Sequence, residues 1–297
     1  MFRPAAAAVL LLCSMTACGG TSGTPCTTDD ECPSHFCKAD GTCGPADVDA
    51  AVGGDAAGDG PAGLCTPNHD GSISVSELPL MAGKMATFRV ASNASFDTTG
   101  TAAGGGMRRW DLTGQLANDA DTLLALGSPS GTWWESKFPG ATYSAILAAG
   151  SDLQGVFKVE ASQVTLLGVV SPAAGAFRTE LAYDPPVKIL ALPITANASW
   201  MSTSTVSGTA QGAIVAYTEK YASLVDQVGT MKTPFGEFPV VRIATDLTRT
   251  SGFSTLLTKR TFAWTAECYG SVATVASKDF VTSAEFNDPA EVRRLAP

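Results

Sequence analysis

From residue 83 onward, side-chain character alternates with a period of two. Phe177, Thr179, Leu181 and Tyr183 alternate with Arg178, Glu180, Ala182 and Asp184. Phe262, Trp264, Ala266 and Cys268 alternate with Thr261, Ala263, Thr265 and Glu267. Successive side chains of a strand point to opposite faces, so this pattern fits strands with one face buried. Further strands are predicted over 84–91, 107–113, 141–147, 153–160, 163–170, 187–194, 199–207, 212–221, 223–232, 238–248 and 271–277. Turn signals at Ala149-Gly150-Ser151, Ser171-Pro172 and Asp184-Pro185-Pro186 separate several of them. One short helix is predicted within 116–126. Many strands at short intervals predict an all-β fold: an antiparallel multi-strand barrel, half-barrel or sandwich over 83–297.

The start of the chain has a different character. Arg3 is the only charge before Asp29. The apolar run Ala5-Ala6-Ala7-Ala8-Val9-Leu10-Leu11-Leu12 leads into Ser14-Met15-Thr16-Ala17-Cys18-Gly19-Gly20. A basic start, a short apolar stretch and then small residues predict a secretory signal over 1–17. The run is too short to cross a bilayer, which takes roughly 20 apolar residues. Met15-Thr16-Ala17-Cys18 resembles the lipobox of bacterial lipoproteins, in which the cysteine is acylated and becomes the new N-terminus. The resemblance implies a lipid anchor on Cys18 as the membrane attachment. Gly19 is not the Asp that retains such proteins at the inner membrane, so it also implies the outer membrane, on its periplasmic or surface face. One acyl chain binds a membrane only marginally, whereas two or more anchor stably.

Residues 18–43 form a cysteine-rich module. Cys26, Cys32, Cys37 and Cys43 predict two disulfides in exported sequence, with three connectivities open. The alternative, a zinc site with His35, lacks the usual C-x-x-C spacing. The module resembles short cysteine-rich repeats near the N-termini of bacterial surface lipoproteins, and no activity follows from that. Residues 44–64 are rich in Gly, Ala and Asp, without aromatic or basic side chains, and are expected to be a disordered linker. Residues 18–64 hold eight acids and one base, whereas 65–297 hold twenty acids and seventeen bases. The net charge of −9 therefore sits mostly in the stalk. No basic field exists to draw in nucleic acid. Two cysteines are left over, and a Cys65–Cys268 disulfide is predicted.

Residues 65–82 contain a degenerate loop that resembles an EF-hand or dockerin-type calcium loop. Asn68, Asp70, Gly71, Ser72 and Glu77 fall at positions 3, 5, 6, 7 and 12 of such a loop. The resemblance makes Asn68, Asp70, Ser72 and Glu77 the candidate ligands of weakly bound calcium; no other cofactor is expected. Thr66 stands where the first Asp belongs, and Pro79 interrupts the helix that would follow. A polar Asn-His-Asp-Gly turn is the alternative.

The catalytic repertoire is narrow. No histidine lies beyond His69, so the β body has no Ser-His-Asp triad, Cys-His pair or His-ligated zinc of its own. Motifs for Ser-Lys catalysis, the nucleophile elbow and nucleotide loops are also absent. Carboxylate pairs remain, as do Trp110 and Trp133-Trp134 near Arg108-Arg109, a potential sugar-stacking patch. The segment Thr233-Pro234-Phe235-Gly236-Glu237-Phe238 resembles a turn-plus-strand element of uncharacterised β-rich envelope domains. The expectation is a lipid-anchored envelope protein whose body is a non-catalytic binding or structural module. The alternatives are a carrier of an apolar ligand in a half-barrel and a carboxylate-based glycan hydrolase. No protein or ligand partner is named by any motif.

Overall fold

Twelve strands bond edge to edge into one antiparallel sheet that nearly closes on itself. The computed structural model describes residues 65–297. The predicted signal, Cys18, Cys26, Cys32, Cys37, Cys43 and the linker 44–64 lie outside the described residues. The strands of the first half are β1 (Ser72–Ile73), β2 (Met85–Ser92), β3 (Thr101–Ala102), β4 (Arg108–Asp111), β5 (Ala120–Ala125), β6 (Tyr143–Ile146), β7 (Gln154–Glu160) and β8 (Gln163–Val170). Then come β9 (Glu180–Ala191), β10 (Ile194–Thr195), β11 (Ser199–Ala210), β12 (Ala213–Lys232), β13 (Glu237–Ser251), β14 (Ser254–Ala266), β15 (Gly270–Ala276) and β16 (Glu291–Leu295). The order round the sheet is β5-β2-β16-β15-β14-β13-β12-β11-β9-β8-β7-β6. Its two ends meet where Gly127, just past β5, exchanges backbone hydrogen bonds of 2.8 and 2.9 Å with Ser144 of β6. Near-closure leaves little unpaired strand edge, which would otherwise expose backbone donors and acceptors.

Alternation sorts the side chains into two sets. On the inner face, Val164, Trp200, Val225 and Ile243 from four strands pack together with Ile73, Leu78, Leu192 and Ile194. Ile73 belongs to β1, which pairs with β10 (Ile73 with Ile194), so the segment after Cys65 plugs one end of the barrel. Tyr143, Phe157, Leu166, Leu181, Tyr183, Val187 and Val206 continue this core. Two patches of the outer face are covered as well, while that of β11 is open at Met201, Thr203, Thr205 and Ser207. Residues Trp110 and Leu112 lie over Phe238, Val240, Phe262, Trp264, Val275 and Val292. Trp134 and Phe138 cover Val156 and Val170.

The outer cover is fixed by the edge of β12. β11 pairs with β12 as far as Leu224; beyond a bulge at Val225/Gln227, β4 takes that edge in parallel, Gly229 to Lys232 opposite Arg108 to Asp111. Gly229 is required there, because a Cβ would sit 1.8 Å from the Arg108 carbonyl oxygen. Two buried arginines then hold the cover down. Arg242 bonds both Asp226 (2.7 Å) and Glu285 (2.6 Å), donates to the Thr98 carbonyl, and lies 4.2 Å from the Phe262 ring centroid. Arg294 is fully buried, forks onto Asp119 (2.6 and 2.8 Å) and donates to the Leu112 and Gly114 carbonyls.

The all-β expectation holds, and the barrel-like form is the one adopted. Four local expectations are corrected. Residues 120–125 are strand β5, not a helix, because β2 offers them a partner edge. The predicted strands 212–221 and 223–232 are one 20-residue strand, β12, bent by its bulge and not broken. Asp184-Pro185-Pro186 does not separate strands; it lies inside β9 where the register with β8 slips, so the missing proline donors are not needed for that pairing. Cys268 is buried but sits in the turn after β14 with φ of 64°, and not on the inward face of a strand.

Candidate functional site

The inner face brings together a polar cluster that no motif announced. β12 places Tyr217, Glu219 and Tyr221 on one face, two residues apart. In the register, Ser204 of β11 and Arg249 of β13 stand directly opposite Glu219 on either side. Arg249 donates to Glu219 Oε1 (2.8 Å), and the Tyr221 hydroxyl donates to Oε2 (2.6 Å). The Arg249 guanidinium also lies 4.5 Å from the Tyr217 ring centroid. Glu219 is entirely buried. Burial pushes the Tyr183 and Tyr221 hydroxyls well above the usual phenol range, and the neighbouring Glu219 charge adds to both shifts. Burial works against the Arg249 charge, but Glu219 outweighs it, and the guanidinium sits above its ordinary value. A carboxylate between a guanidinium and a phenol that stays protonated is satisfied internally. Such a cluster orients strands, because Glu219 of β12 is held by Arg249 of β13.

This arrangement carries a prediction. Glu219→Gln keeps the side-chain shape and removes the charge. Arg249 is one-third exposed, so water takes over part of its solvation. The expected loss is about 1–3 kcal/mol of unfolding free energy, measured by urea denaturation. Paired with Arg249→Met in a double-mutant cycle, an interaction energy near zero would show that the two groups act independently.

The second place is the seam between β5 and β6. A cleft of about 80 Å³ opens there, lined by Val90, Thr122, Leu124, Ile146, Ala148 and Arg293, among others. The loop beside it is tied down: Ala149 N–H donates to Glu291 (2.8 Å) and Arg293 donates to the Leu147 carbonyl (2.8 Å). Ligand sites for drug-sized molecules run to roughly 300–1,000 Å³. The seam falls well short of that.

The third place is the calcium-like turn. The predicted disulfide is present, Cys65 to Cys268, across a sequence separation of 203. It brings the turn against Glu267, whose carboxylate accepts the backbone N–H groups of Asn68 (2.9 Å) and His69 (3.0 Å). The Asn68 side chain accepts from Asp70 N–H, and Asp70 accepts from Ser72 N–H, two consecutive Asx turns. Glu77 accepts from the Ser74 N–H and hydroxyl, both at 2.7 Å, at the start of a short 3-10 turn over Val75–Glu77. Each of Asn68, Asp70 and Glu77 thus has an internal partner, and Ser72 lies in β1. Among the described residues, no group of three or more His, Cys, Asp or Glu is placed to hold a metal ion.

The tryptophans are dispersed. Trp110 packs edge-on against Trp264 beneath the outer cover, and Trp134 packs against Phe138 in a different cluster. Trp133 is covered by the Arg178 guanidinium at 4.7 Å. The sugar-stacking patch is therefore not assembled. Of the sequence-predicted residues, the fold joins Cys65 to Cys268 and runs 68–77 through two Asx turns, strand β1 and a 3-10 turn. The Glu219 cluster was visible only as an acid between two tyrosines at period two. Comparison with protein-family models, with characterised proteins and with solved structures found no match to this chain.

Proposed function

We propose that this chain is a lipid-anchored protein of the bacterial cell envelope, held at the outer membrane through Cys18, with its β-barrel body a non-catalytic binding or structural module. The observation that carries this reading is the Cys65–Cys268 cystine, because disulfides persist in oxidising compartments outside the cytosol. It agrees with the exported leader and lipobox-like residues ahead of it. The inner face, filled by the chain's own side chains and by the plug after Cys65, supports a rigid module over a carrier. The carboxylates Asp226 and Glu285 converge on Arg242 under the outer cover and brace it, which favours the same reading over a glycan hydrolase.

The test is the intact mass of the protein extracted from membranes of its native host. The expected species begins at Cys18 and carries two or three acyl chains. A chain that retains residues 1–17, or one with unmodified Cys18, overturns the reading.

A further inference from the structure

Three hairpin ends stand side by side at the barrel end opposite the disulfide. They are the β8–β9 loop (171–179), the β11–β12 turn (211–212) and the β13–β14 turn (252–253). Their strands follow one another in the sheet order β14-β13-β12-β11-β9-β8. At about 4.8 Å per strand, the three ends lie within roughly 20 Å across the sheet. The β11–β12 turn projects past the β13–β14 turn, since β12 begins at Ala213 and pairs with β13 from Thr218. Phe253 is fully exposed, Ile214 is 89% exposed and Phe177 is 80% exposed. Leu256 adds a fourth exposed apolar side chain beside them. Phe177 lies against the β11–β12 turn, since a Cβ at Gly212 would be 3.1 Å from its ring. Large apolar side chains gathered at one end call for a partner.

The charges around the rim indicate its kind. Stretches 171–177, 207–218 and 250–258 contain no acid and no base. Directly behind them stand four bases, Arg178, Lys220, Arg249 and Lys259, and two acids, Glu180 and Glu219. Both acids are already bonded, Glu180 to Lys137 and Arg178, Glu219 to Arg249. Lys259 faces Asp279 at 3.4 Å, and Lys220 is exposed. With Asp279 counted, the four bases exceed the acids by a small positive margin, carried by the exposed Lys220. An uncharged apolar tip with that excess behind it, on a chain of net charge −9, complements a surface that is apolar inside and anionic outside.

We propose that these three hairpin ends insert Phe177, Ile214 and Phe253 into the surface of an anionic lipid bilayer. The rim lies about 40 Å from the disulfide end, the length of the 13 residues of β14. Residues 44–64 can reach at most about 70 Å. Given the anchor at Cys18, the tether is therefore long enough for the rim to return to the anchor's own membrane.

The test uses the full chain carrying Phe253→Trp, with vesicles of phosphatidylethanolamine and phosphatidylglycerol whose acyl chains are brominated. The added Trp emission is expected to be quenched, relative to unbrominated vesicles and to the parent protein. In the Cys18→Ser background, which lacks the acyl anchor, adding Phe177→Ser and Ile214→Ser should weaken vesicle association roughly tenfold per side chain. These residues lie at exposed tips, so the thermal midpoint should stay unchanged and report intact folding. Sedimentation with vesicles but no quenching at position 253 assigns attachment to the acyl anchor alone and overturns the rim proposal. Quenching that survives in a Cys18→Ser protein supports the rim and shows that it acts without the anchor. Concentration-dependent cross-linking through position 253 without vesicles, and no quenching with them, assigns the rim to a second copy of the chain and overturns the proposal.

Discussion

Replacing both bridge cysteines, Cys65→Ser with Cys268→Ser, is expected to lower the unfolding free energy by about 2–5 kcal/mol. The bridge closes a loop with a sequence separation of 203. Loop-closure entropy grows with the logarithm of loop length, and for a loop this long the chain-entropy estimate is about 5 kcal/mol. Other contacts also hold the segment: Cys268 N–H donates to the Glu77 carbonyl (2.8 Å), and Glu267 grips the backbone at 68 and 69. They act on the folded state and cannot restore a constraint lost from the unfolded chain. For a domain of this size, each kcal/mol moves the melting temperature by about 2–4 °C. Calorimetry under non-reducing conditions should show a drop on the order of 10 °C. An unchanged midpoint would refute this account of the bridge.

Arg294→Met is expected to cost about 3–5 kcal/mol, because it leaves the Asp119 carboxylate buried with its main partner gone. Arg294 is fully buried and the Asp119 side chain is 7% exposed, so solvent screening gives little relief. The substitution also strips donors from the Leu112 and Gly114 carbonyls, loosening the segment that carries Trp110 over the outer face. Replacing both partners, Arg294→Met with Asp119→Leu, should recover part of the loss, since no charge then remains buried.

The same pair sets a pH dependence. Burial pushes the Asp119 carboxyl upward, but the Arg294 hydrogen bonds, the Leu116 N–H and the charges of Arg294 and Arg89 outweigh it and hold it below the usual carboxylate range. A depressed folded-state value means the contribution is fully present above the unfolded value, about 4. It is lost as pH falls through the folded value. Chemical denaturation from pH 6 down to pH 2 should show wild-type stability falling below about pH 4, with a shallower fall in Asp119→Asn. Equal slopes would show that Asp119 is not the group that titrates.

Local patterns were legible wherever one residue and its near neighbours decide the outcome. The strands at 154–160, 163–170 and 270–276 match their predicted ranges closely, because each is a short run rich in Val and other strand-forming residues. Partners far away in the chain decided the rest. Residues 120–125 became a strand because β2 needed an edge, and 213–232 stayed one strand because β13 pairs with it from Thr218 to Lys232, past the point where β11 stops. Arg242, Arg294 and Glu219 read as ordinary surface charges in sequence, since their counter-ions lie 16 to 175 residues away.

The chain alone therefore determined a β class and an oxidised Cys65–Cys268 pair, and offered the Asn68-His69-Asp70-Gly71 turn as one of two readings of that loop. Each follows from local periodicity, from counting cysteines, or from side chains that bond their own backbone. Only the tertiary structure decided that the sheet curls until β5 nears β6, which patches of its outer face are covered, and which charges are buried. A period of two shows that a strand has two unlike faces. It carries no information on which neighbour each face will meet, because that depends on pairings between residues far apart in the chain.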